Sequence, residues 1–185
     1  ALLATVTDID SADFAGGSLS VEITAGGDAA EDQLGFDGTV TLSGTAYGST
    51  VTVNAVAVGT LGADLIVSGA ILVDFNAGAT LANVQSLIRA LTYENTDTVA
   101  PTLGSRTISV TLNDGAGGVS APVTTTVNVA ASAPPVISDL GGDVAGYAQG
   151  DAPIHLDDPA LLATVTDTDS ADFAGGSLTV SITAG

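Results

Sequence analysis

Residues 106–129 read RTISVTLNDGAGGVSAPVTTTVNV, two Val/Ile/Thr-rich runs flanking the turn residues NDGAGG. Period-two alternation is a strand signal, and Gly and Asp tolerate the positive φ that a tight connection demands. The segment therefore predicts a β-hairpin. The same pattern extends outward, to Leu19–Ile23, Val40–Leu42, Val51–Val53, Leu65–Val67 and Ile71–Phe75, each bounded by Gly, Asp, Asn or Pro. One stretch departs from it. Leu81, Val84, Leu87, Ile88 and Leu91 fall at helical spacing behind Thr80, an N-cap residue type, and predict a short helix lying as a lid on one edge of the β structure.

The chain also repeats itself. Residues 1–26 read ALLATVTDIDSADFAGGSLSVEITAG, and residues 160–185 differ from them only at Ile9/Thr168, Ser20/Thr179 and Glu22/Ser181. The offset, 160 minus 1, gives a period of 159, and self-similarity at a fixed period is the signature of a repeat array. The stretch ASAPP, residues 131–135, is the natural boundary, because its prolines remove donors and restrict the backbone. On this division residues 1–131 are the C-terminal part of one repeat, 132–135 a linker, and 136–185 the N-terminal part of the next. Each part is expected to leave strand edges that a neighbouring repeat or an identical subunit pairs, end to end or by strand exchange.

Composition narrows the function classes. With 45% hydrophobic residues over 185 positions, the chain can bury a core. No apolar run approaches the roughly 20 residues that span a bilayer, so membrane insertion is not expected. A net charge of −19, with Arg89 and Arg106 the only basic residues apart from His155, disfavours nucleic acid and anionic membranes as partners. Cations are the natural counterpart. Eighteen of the 21 acids are Asp, a residue suited to turns and to oxygen-ligand cages. There is no Cys, and hence neither a disulfide nor a thiolate site.

Four segments in order, TDIDSADFAGGSLSVEI, AAEDQLGF, ATLANVQSLIRALTYENT and RTISVTLNDGAGG, resemble the cadherin-like and chondroitin-sulfate-proteoglycan-like repeats of very large bacterial surface proteins. The resemblance covers most of one unit. It implies an all-β fold, an immunoglobulin/cadherin-like β-sandwich per repeat with one short helix, strung into extracellular fibres or adhesins that often depend on calcium. Two departures stand out: NVAASAPP carries no acid where a cadherin-type linker does, and the period of 159 exceeds an immunoglobulin-like sandwich of about 100 residues.

Calcium takes six to eight oxygens, and closely spaced Asp residues can wrap one ion. Asp8, Asp10, Ser11 and Asp13 fit that pattern, Asp167, Asp169, Ser170 and Asp172 repeat it, and Glu31 and Asp32 are placed to complete a shell from across the sheet. The plainer alternative is that Asp and Ser form Asx-type turns that need no ion. Asp114 reads as a structural turn residue. A glycosidase pair of carboxylates is disfavoured, because aromatics make up 4% of the chain and Trp is absent. His155 has no Ser or Cys partner motif, and no phosphate loop or zinc spacing is visible, so no enzyme is expected. The other classes left open are a carbohydrate- or receptor-binding module, with Tyr47, Tyr93 and Tyr147 as its only tyrosines, and a passive spacer.

Overall fold

The computed structural model describes residues 3–65 and 69–183. The chain divides into two compact units, Ala1–Ala131 and Ser132–Gly185. The first holds strands β1 (Ser18–Ala25), β2 (Asp32–Phe36), β3 (Val40–Leu42), β4 (Thr50–Val53), β5 (Val56–Leu61) and β6 (Ala70–Phe75), then helix α1 (Leu81–Arg89), then β7 (Leu91–Asn95), β8 (Gly104–Asn113) and β9 (Val123–Val129). The second holds β10 (Val136–Ser138) and β11 (Thr164–Thr166). Among the described residues the protein is thus predominantly β, with one short helix, and the strand pairs are all antiparallel.

In the first unit seven strands form one sheet in the order β3-β4-β5-β6-β1-β8-β9, and β2 and β7 form a separate pair. β1 sits inside the large sheet. Leu19 faces Val73 of β6 on one side and Leu112 of β8 on the other. Its alternation SLSVEITA sends Leu19, Val21 and Ile23 inward and Ser20, Glu22 and Thr24 outward. Val84 and Leu87 of α1, Leu34 of β2 and Phe14 join Leu19, Val21, Val51, Val53, Val58, Ile71, Val73 and Ile108 in one core.

The helix begins where its cap predicts. Thr80 Oγ1 accepts from Asn83 N at 3.4 Å, satisfying an otherwise orphan donor. It ends at Arg89, before Leu91, because Ala90 O accepts from Asp37 N and Leu91 pairs with Phe36 to start β7. The predicted hairpin forms as β8–β9, Gly104–Val110 pairing with Val123–Val129. Of the predicted strand Leu65–Val67, Leu65 lies in a turn, and Ile66 and Val67 lie outside the described residues.

Strand β5 carries a weak local signal. It joins β4 through Asn54 and Ala55, at φ 51° and 63°, the positive pair that a two-residue hairpin turn requires. The β4–β5 register then shifts after Val51, which faces Gly59. A Cβ on Gly59 would lie 2.1 Å from Asp74 O, so only glycine fits. In the second unit none of the described residues 132–183 is buried. Among the described residues, no helix is long and apolar enough to cross a membrane.

Candidate functional site

Three carboxylates converge where the lead-in to β1 meets the turn after β8. Ligand oxygens of Asp8, Asp10 and Asp114 all lie within 4.8 Å of one another. Oxygens bound to one calcium at about 2.4 Å are separated by at most about 4.8 Å, so the spacing fits a shared cation. Asp8 and Asp114 also line one side of an open cleft of about 410 Å³, with Thr7, Phe14, Leu112 and Ser120.

Turn hydrogen bonds hold two of the three carboxylates in place. Asp8 Oδ1 accepts from the N–H groups of Asp10 and Ser11, both at 3.1 Å. Asp114 Oδ1 accepts from Ala116 N at 2.7 Å and Gly118 N at 2.9 Å. The backbone N–H groups of Asp10 and Ser11 hold the Asp8 carboxyl below its ordinary value. The hydrogen bond to Asp8 pushes Asp10 up, and the charges of Asp8 and Asp114 push it the same way. Such mutual repulsion is what a bound cation relieves. Ser11 Oγ is buried in the same loop and makes no hydrogen bond.

The expected ligands do not all meet there. Asp13 Oδ1 accepts from Ala15 N at 2.9 Å in its own turn, and its backbone bridges to Thr80. Asp114, which reads as a plain turn residue in the sequence, contributes the third carboxylate. Glu31 and Asp32 belong to a separate network. Asp32, 3% exposed, is ion-paired through Oδ2 with Arg106 Nε at 2.9 Å, and Arg106 is itself 1% exposed. The Tyr93 hydroxyl donates to Asp32 Oδ1, Asn95 Nδ2 reaches both Asp32 Oδ1 and Glu31 Oε2, and the Thr102 hydroxyl donates to Glu31 Oε1. Burial pushes the Asp32 carboxyl up, but hydrogen bonds from Tyr93, Asp28 N and Arg106, with the Arg106 charge, outweigh it and hold it below its ordinary value. This network locks β2, β7 and β8 together.

The second copy of the loop repeats the turns of the first. Asp167 Oδ1 accepts from Asp169 N at 3.1 Å and Ser170 N at 3.0 Å, and Asp172 Oδ1 accepts from Ala174 N at 2.8 Å. Gly175 has φ 81° where Gly16 has φ 80°. Beyond the turns the copies diverge. Phe14, Leu19 and Val21 are 2%, 0% and 1% exposed, whereas Phe173, Leu178 and Val180 are 55%, 81% and 76% exposed. Residues 177–182, the counterpart of β1, belong to no strand. An apolar hollow of about 680 Å³ lies between Pro135, Ile137, Val165, Phe173 and Leu178. In the first unit Phe14 packs edge-on against Phe75 of β6, ring centroids 6.3 Å apart. The Asp169 carboxylate accepts from Ala133 N at 2.7 Å.

Of the tyrosines, Tyr93 is tied to Asp32, Tyr147 OH donates to Asp151 O, and Tyr47 is 72% exposed. No protein-family model, curated protein or solved structure matches the chain.

Proposed function

We propose that this chain is a stretch of a tandem-repeat structural or adhesive protein of an extracellular fibre or cell surface, in which the units are completed by strand pairing and clamped by calcium. The observation that carries this reading is the different fate of one sequence in two places: a fully paired, buried strand at Ser18–Ala25 and an unpaired, exposed segment at 177–182. A strand with an apolar face and two open edges needs neighbours and a covering layer. The first unit names them: β6 and β8 on the two sides, with α1 in the shared core.

Residues 132–185 followed by a stretch like 27–131 span one period of 159. Such a unit contains β10, β11 and every element of the first unit. The large sheet, with β2–β7 and α1 over its apolar face, is then an enlarged relative of the cadherin-like sandwich, and the repeats stack so that each mainly contacts its neighbours. Calcium at Asp8, Asp10 and Asp114 ties the lead-in of β1 to the β8–β9 turn. In the second copy Asp167 and Asp169 wait for the same third carboxylate, so completion of a unit and completion of its cation site coincide.

The test is a chain of residues 1–185 followed directly by a second 27–131, melted in excess calcium and in excess chelator. The expected outcome is a second cooperative unit, amide protection at residues 177–182 equal to that of β1, and an upward melting shift in calcium, since a ligand of the folded state raises its stability by mass action. Asp10→Asn and Asp169→Asn, together with Asp114→Asn in both copies of 27–131, should remove that shift. If residues 177–182 stay unprotected in the extended chain, the repeat reading fails. A folded second unit whose melt ignores calcium leaves an ion-independent spacer.

A further inference from the structure

We infer that residues 160–183 are a second, interchangeable occupant of the β1 position: in a molecule whose residues 1–26 are not in the sheet, this segment of the same chain closes into the gap between β6 and β8. The inference rests on the repeat reading only in its view that 160–183 is strand-forming sequence.

The three positions at which the copies differ decide the fit. Ile9 is fully exposed, and Ser20 and Glu22 are on the outward face of β1, so Thr168, Thr179 and Ser181 alter no core contact. Every inward residue is retained: Phe173 for Phe14, Leu178 for Leu19, Val180 for Val21, Ile182 for Ile23. One further retention has a steric cause. A Cβ on Gly17 would lie 2.1 Å from Asn113 O, whereas the nearest atom to a Cβ on Gly176 is Phe173 O at 3.1 Å, within its own turn. Gly176 is thus already suited to a close approach by β8 that it does not make in its own unit. In the register of β1, Leu178 would face Val73 and Leu112, and Val180 would face Ile71 and Val110.

Removing residues 1–26 opens two facing strand edges in the middle of the sheet and empties the places of Phe14, Leu19 and Val21. Such a gap demands a strand with this inward pattern. The connection reaches. β9 ends at Val129, opposite Gly104, at the same end of the sheet as Ala25, so residues 130–176 must return along one strand length. That length is about 26 Å, and a flexible connection of this many residues spans roughly 40 Å. In the intact chain residues 18–25 hold the position, because they run directly into the Asp28–Asp32 turn whereas the second copy must close a long loop.

The experiment compares the full chain with residues 27–185, each with and without Leu178→Asp and Val180→Asp. The expected result is that 27–185 is a monomer with a cooperative melt, that amide protection at 177–182 is about 100-fold or more above its level in the full chain, and that the double substitution abolishes both. The same substitutions in the full chain should leave its melt unchanged, since both side chains are exposed there. A non-cooperative 27–185, or one that folds equally well with the double substitution, overturns the inference. A cooperative dimer overturns self-closure in favour of exchange between copies. Success of the extended 1–185/27–131 chain alongside failure of 27–185 would leave the repeat reading standing and remove only the interchange.

Discussion

Arg106 shows why residue-level roles escape a linear reading. Its partner Asp32 lies 74 positions away, and nothing local pairs them. In the sequence Asp32 is one acid of a cation-seeking chain; in the fold it is a buried anion whose cation is a guanidinium. Removing one member strands the other, which costs about 3–5 kcal/mol, so Arg106→Met should lower the urea midpoint sharply. Arg106→Lys should recover only part of the loss, because Arg106 also donates to Thr102 O at 2.6 Å and Gly104 O at 3.3 Å. The folded Asp32 carboxyl lies below its unfolded value, so its contribution is present above about pH 4 and lost as pH falls through the folded value. Burial, followed by the bond to Asp32, raises Tyr93, whose contribution is therefore present below about pH 10 and lost as pH climbs beyond it. Urea midpoints measured across pH should decline at both ends, and Tyr93→Phe should remove the alkaline limb. Ala55 makes a smaller point. Its φ of 63° is unfavourable for any side chain, and Ala55→Gly should raise stability by about 0.5–1 kcal/mol, read as a higher melting temperature.

At the scale of elements, legibility tracked the strength of the local pattern. The β8–β9 hairpin announces itself through two alternating runs and a Gly/Asp turn, and α1 through 3.6-residue spacing behind Thr80. β5 does not, because Gly59 interrupts it and its turn is Asn-Ala rather than Asn-Gly. β2 hides behind a buried Asp32, and of β7 only Leu91 is read, as the last position of the helical pattern. The carboxylate cluster was half legible: Asp8 and Asp10 are close in sequence, whereas Asp114 joins them only because β1 pairs with β8. Between the two loop copies the division is sharper. Turns recur with matching hydrogen bonds and matching glycine φ, since they depend on adjacent residues alone. The adjoining strand is paired in one copy and not in the other, since a strand depends on distant partners. The same substitution should therefore have two outcomes. Leu19→Ala empties a fully buried position and should cost about 2–5 kcal/mol, whereas Leu178→Ala, at a position 81% exposed, should leave the melt within error. Equal losses at both sites would show the second copy to be packed.

The whole molecule is built unevenly, and that asymmetry can be measured. Every buried hydrophobic residue among those described lies between Phe14 and Ile108. The hydrophobic driving force that makes unfolding cooperative, proportional to the apolar area removed from water, is therefore confined to Ala1–Ala131. Residues 132–183 contribute turns and the short β10–β11 pair, and such a ribbon is marginal alone in water. A chain ending at Ala131 should keep the urea midpoint of the 185-residue chain. The slope of stability against urea gives a second, independent number, because it scales with the surface exposed on unfolding. Were Ser132–Gly185 a cooperative part of the fold, the longer chain would show a slope greater by roughly 40%; equal slopes place all the cooperativity in the first unit. Equal slopes joined to a steeper, two-unit transition in the extended 1–185/27–131 chain would locate the missing stability in the added 27–131 segment, because a repeat whose folding unit spans two sequence copies gains its core only when the second copy is present.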